Sequence, residues 1–557
     1  MVQSSPSSAA SSASSSNRQN LDPVTRNALR YTVSAKEYEL LHQYLVSRAP
    51  SVQKRALPPK KYEAIVESKH DASISTVRAS LRVFITAYSG LKAWDVISRR
   101  LRPSPQNAKN ASSKASHLRM SASLSLILLF HRLLHRFFLR LRASLLEPSA
   151  RPFRRRNPRI SLGLTSRYTP AVGAALSGLF LSVCPASQLR ISVAIYAFSR
   201  SLEFAYNAAE DKGIWGKKGK PDWVGSWMLM PLACGQLLHA FVFDRECFPE
   251  GMGKFILNRS PEYIQHRPST YPSDKTWPAT FDIVDGLADI SRLRWPSFVS
   301  PILFPAAKQH LHASISHLSP ITAPAHPAIT NTSCALLHPN DPSCMRTYVK
   351  YFIAAFPTTA RLFTAIYAVF ALLSYKSFLQ NPMQQLNHLA ARILRMSLFI
   401  TGSIGTAWGT ICLFATYLPR NTLATQRWFL SGLLGGLWAF VARRGQRSSF
   451  IYSARMSLDS FWKVGVKRGW WKGVKGGDVM LFAASLALID ALYETQPKAV
   501  RGAMIRKGMG VLRGEGWVDR TATEEEQGKS TSESVEKKEE YILSLYVILW
   551  SRVRNEL

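Results

Sequence analysis

Long apolar runs alternate with strongly basic connections along this chain, and that alternation restricts the fold more than any other feature. The first clear run is Val77 to Ile97, and Tyr351 to Tyr375 and Ile393 to Leu418 are of similar or greater length, against the roughly 20 apolar residues that a helix needs to cross a bilayer core. A mean hydropathy near zero conceals the pattern, because apolar stretches and basic loops cancel in the average. Lys and Arg number 71 against 35 Asp and Glu, a formal charge of +36. Such an excess serves either nucleic acid or the anionic head groups of lipids. Here the cations flank apolar segments instead of gathering on one polar domain, which favours membrane lipids as partners and argues against nucleic acid.

At 557 residues the chain exceeds one compact soluble core, so several structural units are expected. Residues 1–70 read as a disordered, basic N-terminal region. Its Ser/Ala-rich start, Ser4 to Ser16, has no apolar signal core, and a single Arg precedes Asp22. Residues 71–250 read as a first set of membrane helices: Val77 to Ile97, Met120 to Arg142, Thr169 to Val183, Leu189 to Asn207 and Trp223 to Phe243. The second of these carries His131, His135 and Arg142 among Leu and Phe, which suits an interfacial amphipathic helix better than a span. Residues 251–350 read as a Pro- and His-rich polar loop. Residues 351–500 supply a second set: Tyr351 to Tyr375, Ile393 to Leu418, Trp428 to Val441, Phe450 to Val464 and Val479 to Tyr493. Residues 501–557 form a basic and then acidic tail ending in a short apolar run, Tyr541 to Trp550.

The two sets resemble each other. IYAFSRSLEFAY (Ile195 to Tyr206) recurs as IYSARMSLDSFW (Ile451 to Trp462), with Tyr196 on Tyr452 and Glu203 on Asp459. The register continues through a Trp/Gly/Lys loop, Trp215 on Trp471, to Asp222 on Asp478. Upstream, LSGL at Leu176 to Leu179 answers LSGL at Leu430 to Leu433, and FITAYSG (Phe84 to Gly90) resembles FITGSIG (Phe399 to Gly405). The expected fold is therefore an all-α, multi-pass integral membrane protein: two repeated helical bundles joined by a long polar loop. Whether Tyr351 to Tyr375 crosses decides whether the halves are inverted or parallel.

Two groups of residues stand out within the repeat. Gly173 and Gly178 in the first half, and Gly432, Gly435 and Gly436 in the second, are small enough to let helix backbones approach in lipid. Glu203 and Asp459 lie mid-helix with Arg200 and Arg455 about one turn away, a spacing that places each pair on one face. Ionisable groups at membrane depth face a bundle interior or a watery cavity. These four residues are candidates either for lining a polar cavity or for structural ion pairs.

SVAIYAFSRSLEFAYN, GQLLHAFVFDRECFPEGMGKFILNRSPEYI, LLHPNDPSCMRTYVKYF and the run from Arg427 to Val479 resemble the fungal members of the transmembrane protein 135 family. The resemblance covers most of Val77 to Trp517. The stretch Cys334 to Cys344 looks like that family's cysteine-containing module, here mid-chain and with two cysteines. The family is distantly similar to the translocase channel proteins of the mitochondrial inner membrane. The resemblance implies a peroxisomal or mitochondrial membrane protein connected with organelle dynamics and lipid homeostasis. It carries over no catalytic residue and no cofactor.

Other chemistry is thinner. His239 and Asp244 make an H-x4-D, the spacing of a His base and its orienting Asp in glycerolipid acyltransferases, but no companion substrate motif adjoins it. No enzyme activity is assigned. Six cysteines in so long a chain make no disulfide framework, and Cys184, Cys234 and Cys412 lie in or beside apolar stretches where a thiol simply packs. Cys334, His338 and Cys344 offer three metal ligands where a closed zinc site needs four, so no metal is assigned. Gly216 to Lys220 and Lys472 to Gly477 lack phosphate-loop spacing and suit contact with lipid phosphates. Two functional classes follow. One is a groove or path for lipid, metabolite or polypeptide; the other is a scaffold that recruits organelle-dynamics proteins.

Overall fold

A computed structural model describes residues 23–521 of the chain, apart from 45, 49–55, 67–70, 102–109, 186–187, 215–219, 222, 306–311 and 374–378. The Ser/Ala run, the acidic tail and its apolar end, Trp215, Asp222, His310 and most of Gly216 to Lys220 lie outside the described residues. Among the described residues the fold is all-helical, with one isolated bridge between Ser297 and Asn331.

In chain order, the first principal helices are α1 (Asp71–Leu101), α2 (Asn110–Leu146), α3 (Thr169–Gly178), α4 (Gln188–Asp211) and α5 (Leu229–Phe243). Next come α6 (Thr280–Arg292), α7 (Thr332–Leu337), α8 (Cys344–Leu373) and α9 (Pro382–Tyr417). The last are α10 (Arg427–Gly436), α11 (Arg447–Lys467), α12 (Gly477–Thr495) and α13 (Ala503–Arg513). Local chemistry sets several of these ends. Pro170 and Pro382 occupy first-turn positions of α3 and α9, where a missing N–H costs no bond. Gly476 (φ 76°) precedes α12 and Gly514 (φ 86°) ends α13, both in the left-handed region that favours glycine. Pro357 lies inside α8 without ending it.

The helices form two compact units, one containing residues up to Lys212 together with Lys475–Thr521, the other Gly213–Val474. In the first unit α1 pairs with α2, α2 with α3, and α12 lies against both α3 and α4. In the second unit α8 pairs with α9, α9 with α10, and α5 lies against both α10 and α11. The chain therefore leaves the first unit after α4, builds the second around α5, and returns to complete the first with α12. This departs from the contiguous halves 71–250 and 351–500 expected from sequence. The final helix of each stretch packs in the unit built mainly by the other stretch. Linear order cannot reveal this, because an apolar helix face does not say which equivalent groove it fills.

Three further expectations change. The region 1–70 is not wholly disordered: its described part forms the helices Pro23–Thr32, Ala35–Tyr44 and Pro59–Val66, held to α1 where Arg78 donates to the Arg30 carbonyl. Residues 251–350 are not a polar loop. They contain α6, α7 and the shorter helices Glu250–Asn258 and Ser319–Thr322, and they contribute Ile283, Val284, Leu287, Leu318 and Leu336 to the largest buried cluster. The Trp side chains within this core direct their N–H groups to partners: Trp408 to Ser260 Oγ at 2.9 Å, Trp428 to Ser291 Oγ at 2.7 Å and Trp295 to the Ala424 carbonyl at 2.9 Å. That satisfies the polar end of each large ring. FITAYSG falls in α1 and FITGSIG in α9, the first long helix of one unit and the second of the other, so these segments are not structural counterparts.

Four helical stretches among the described residues are long and apolar enough to cross a membrane: Ser116–Leu146, Ser226–Phe243, Cys344–Leu372 and Pro382–Tyr417. The first includes the segment expected to lie at an interface. Its His131 and His135 are buried inside the first unit, so they do not mark a water-facing side.

Candidate functional site

Each glycine singled out from sequence sits at a close helix contact. A Cβ on Gly178 would stand 2.7 Å from the Ala483 Cα of α12, and one on Gly432 would stand 2.4 Å from the Cys234 carbonyl oxygen of α5. Backbone meets backbone at both, so only a residue without a side chain fits. Gly178 and Gly432 are the matched glycines of the two LSGL segments. Each is the crossing point of the helix that joins its unit from the other stretch of chain. Gly436 abuts Pro231 of α5, Gly435 the Ser403 carbonyl of α9, and Gly173 the Leu134 turn of α2.

The charged positions resolve differently in the two units. In α4, Arg200 Nη1 donates to Glu203 Oε2 at 2.7 Å, and both side chains are largely buried. In α11, Asp459 is bridged by Lys463 at 2.7 Å, one turn further on. Arg455, the residue paired with Asp459 from sequence, is buried beside the ring of Tyr452. Arg200 likewise lies over Tyr196. The two matched tyrosines thus each carry a guanidinium on their face, a cation–π contact strengthened by removal from water.

Sequence reasoning missed a cluster of deeply buried charges. Arg513 of α13 donates to Asp490 Oδ1 at 2.8 Å and to Glu494 Oε2 at 2.5 Å, with its side chain 0% and that of Asp490 1% exposed. It also reaches the Asp490 carbonyl at 2.8 Å. His131 Nε2 stands 3.7 Å from the same Asp490 carboxylate, and His135 stacks on His131 with ring centroids 6.1 Å apart. Arg132 binds the Val511 carbonyl through two nitrogens. Six charged or imidazole side chains therefore meet between α2, α12 and α13. The available signal was Asp490 itself, an acid inside the apolar run Val479 to Tyr493. At the entrance of the same helix, Asp478 accepts from Arg190 at 2.5 Å and 3.1 Å, an anion well placed at a helix N-terminus.

In the second unit, Asp244 accepts from Arg468 at 2.6 Å and pairs with Lys467 at 3.2 Å. Its oxygens thus serve two cations at the end of α11, while the His239 ring lies against Phe243. Cys334, His338 and Cys344, expected as three ligands without a fourth, are brought together with Cys412 of α9. Cys412 was expected only to pack.

No family model matches the chain, and no solved structure matches it. What the fold and these sites define is a class: an all-helical protein among whose described residues are four helices long and apolar enough to cross a membrane, with ionisable groups buried between its helices.

Proposed function

We propose that this protein is a multi-pass membrane protein of the peroxisome or mitochondrion, built from two repeats that exchange their last helices. In this reading its helical units provide a polar path for lipid, metabolite or polypeptide. The observation that carries the reading is the inside-out distribution of side chains. On α8, Met345 (72%), Val349 and Ile353 (68%) recur at i, i+4 and i+8 with their apolar side chains exposed, the spacing of one helix face. Leu386, Leu394 and Leu413 of α9 and Leu232 of α5 are exposed in the same way. Meanwhile Asp490 and Arg513 are buried, and Arg200 and Glu203 largely so. Water would penalise so much exposed apolar surface, whereas lipid does not. Arg361, exposed midway along α8, is accommodated in lipid by extending its stem toward a head-group layer.

The repeat reading draws support from matched glycines at matched crossings and from the 3-10 turns that follow α3 (Leu179–Val183) and α10 (Leu437–Phe440). The organelle assignment and the link to organelle dynamics rest on the resemblance in sequence alone. A scaffold without transport is the second reading, favoured by the fact that Glu203 and Asp459 already have cationic partners on their own helices.

Reconstitution separates them. Purified protein in liposomes is assayed for flux of lipids and small solutes, beside a Glu203→Ala/Asp459→Ala variant of matched folding. A path predicts flux that the double variant loses. Wild-type vesicles no more permeable than protein-free ones, over several lipids and solutes, would remove the path and leave the scaffold.

A further inference from the structure

Two cysteines ten residues apart, a histidine between them and a cysteine from a distant helix converge at one buried point of the second unit. Cys334 is on α7 and His338 directly follows that helix. The backbone N–H of His338 donates to the Cys334 carbonyl at 2.9 Å, so both side chains leave the same face. Cys344 opens α8, and Cys412 lies in the C-terminal part of α9. Cys334, His338 and Cys412 are buried and Cys344 half-buried. The three sulfurs and one ring nitrogen lie within 4.8 Å of one another.

Two of the six separations match the edges of a coordination tetrahedron, and all six lie within 4.8 Å. With Zn–S of ~2.3 Å and Zn–N of ~2.0 Å, tetrahedral edges come to ~3.8 Å between sulfurs and ~3.5 Å between sulfur and nitrogen. Cys334 Sγ and Cys344 Sγ stand 3.9 Å apart, and Cys412 Sγ and His338 Nε2 stand 3.4 Å apart. Reduced thiols that merely pack have no reason to enclose an imidazole nitrogen at these spacings.

The surroundings of His338 supply a second, independent observation. Its Nδ1 lies 2.7 Å from the Asp341 carbonyl oxygen, an acceptor, so Nδ1 must carry the proton. The Nε2 lone pair then points at the sulfurs. Metal-bound histidines are oriented in this way, by a carbonyl or carboxylate on the far nitrogen. Asp341 is itself held: its carboxylate accepts from the Ser343 N–H at 3.0 Å and from Lys350 Nζ at 3.0 Å.

We propose that Cys334, His338, Cys344 and Cys412 bind one zinc ion in a closed, structural Cys3His site. Soft thiolates with one imidazole in a tetrahedron select zinc over the oxygen-seeking cations. Four protein ligands leave no open position for substrate, which separates this role from the path proposed above. Binding exchanges the three thiol protons for the metal: three protons go to solvent, three thiolates and neutral His338 remain on zinc, and no electron is transferred. The ion fastens α7 and the described helices of the 251–350 segment that precede it to α8 and α9. This sharpens the reading of that segment as a module anchored on the long helices.

Full-length protein purified in detergent, under reducing conditions and after a mild chelator wash, is analysed for metals by plasma mass spectrometry. The expected content is about one zinc per chain, abolished in Cys344→Ala and Cys412→Ala and retained in Cys184→Ser. Cobalt(II) exchanged into the wild-type chain should give tetrahedral ligand-field bands with thiolate charge transfer, a readout that needs no variant to fold. His338→Cys should keep the metal and raise the charge-transfer intensity by about a third, from three thiolates to four. Metal-free wild-type protein that also fails to take up cobalt(II) would overturn the proposal. A Cys334–Cys344 disulfide in the native protein, or full zinc content in the Cys344→Ala/Cys412→Ala double variant, would overturn it equally.

Discussion

The two units share a helix crossing but fill their interiors with different chemistry. In each, a glycine from an LSGL segment meets the backbone of a helix supplied by the other stretch of chain, Gly178 on Ala483 and Gly432 on Cys234. Beneath that crossing the first unit holds Arg513, Asp490, Glu494, His131 and His135. The second holds the aromatic core of Trp408, Trp428, Tyr263 and Tyr351 and the Cys/His cluster. The difference teaches that close backbone approach sets the architecture, while the residues one layer away remain free to specialise. Charges suit one unit because Arg513 is met there by both Asp490 and Glu494; a thiol–imidazole cluster suits the other because α7, α8 and α9 meet there.

Breaking the charged interior should have the largest effect. Asp490→Ala leaves the Arg513 guanidinium buried beside a single carboxylate, and loss of one member of such a pair costs about 3–5 kcal/mol. We expect a large fall in the unfolding midpoint in detergent. Asp490→Leu combined with Arg513→Met should recover most of it, because an apolar pair carries no desolvation penalty. A double variant no better than Asp490→Ala would mean that the network does more than neutralise itself.

The shared crossing is tested next. Gly178→Ala and Gly432→Ala each place a methyl group against backbone that cannot rotate away, an overpacking cost of about 1–3 kcal/mol. The loss should be similar in the two variants if the crossings are equivalent. Gly163→Ala, where a Cβ meets nothing within 4 Å, serves as the control. Thermal unfolding of the three proteins in one detergent checks this. Unchanged midpoints for Gly178→Ala and Gly432→Ala would show that the helices are spaced more loosely than drawn.

The smallest effect concerns the end of the first unit. Arg506 holds Asp519 through two hydrogen bonds of 2.8 Å and 2.7 Å, and Thr521 adds two more. Burial works against ionisation, yet these donors bring its carboxyl down to about 2 from an ordinary 3.8. The folded value is the lower one, so the contribution to stability is complete above about pH 4 and disappears as pH falls toward 2. It amounts to ~1–2 kcal/mol. Asp519→Asn should remove this acid-dependent step from pH titrations of stability while leaving the neutral-pH spectrum of helicity unchanged.

Much of the helix inventory was legible because long apolar runs with basic ends have few alternatives: Val77 to Ile97 falls inside α1, and Ile393 to Leu418 matches the C-terminal part of α9 to within one residue. The 251–350 segment was not legible as a folded module. Prolines and histidines between its helices mask the short period of Ile283, Val284, Leu287 and Ile290, and its core is completed by Trp408 and Trp428 from far along the chain. The candidate pairs were legible only in part: Arg200 does meet Glu203, but Lys463, which bridges Asp459, was not singled out, since several cations within one turn are equivalent in sequence.

The sequence by itself determined helical segments, their apolar faces and the small residues that permit close packing, because each is written in spacing of 3 or 4 residues. Only the tertiary structure decided that α5 and α12 complete the unit other than the one preceding them, that Arg513 finds Asp490, and that Cys412 completes a set of four potential ligands. These outcomes depend on which surfaces meet after the chain has folded back on itself. No local pattern encodes the partner of a buried charge or the fourth corner of a tetrahedron.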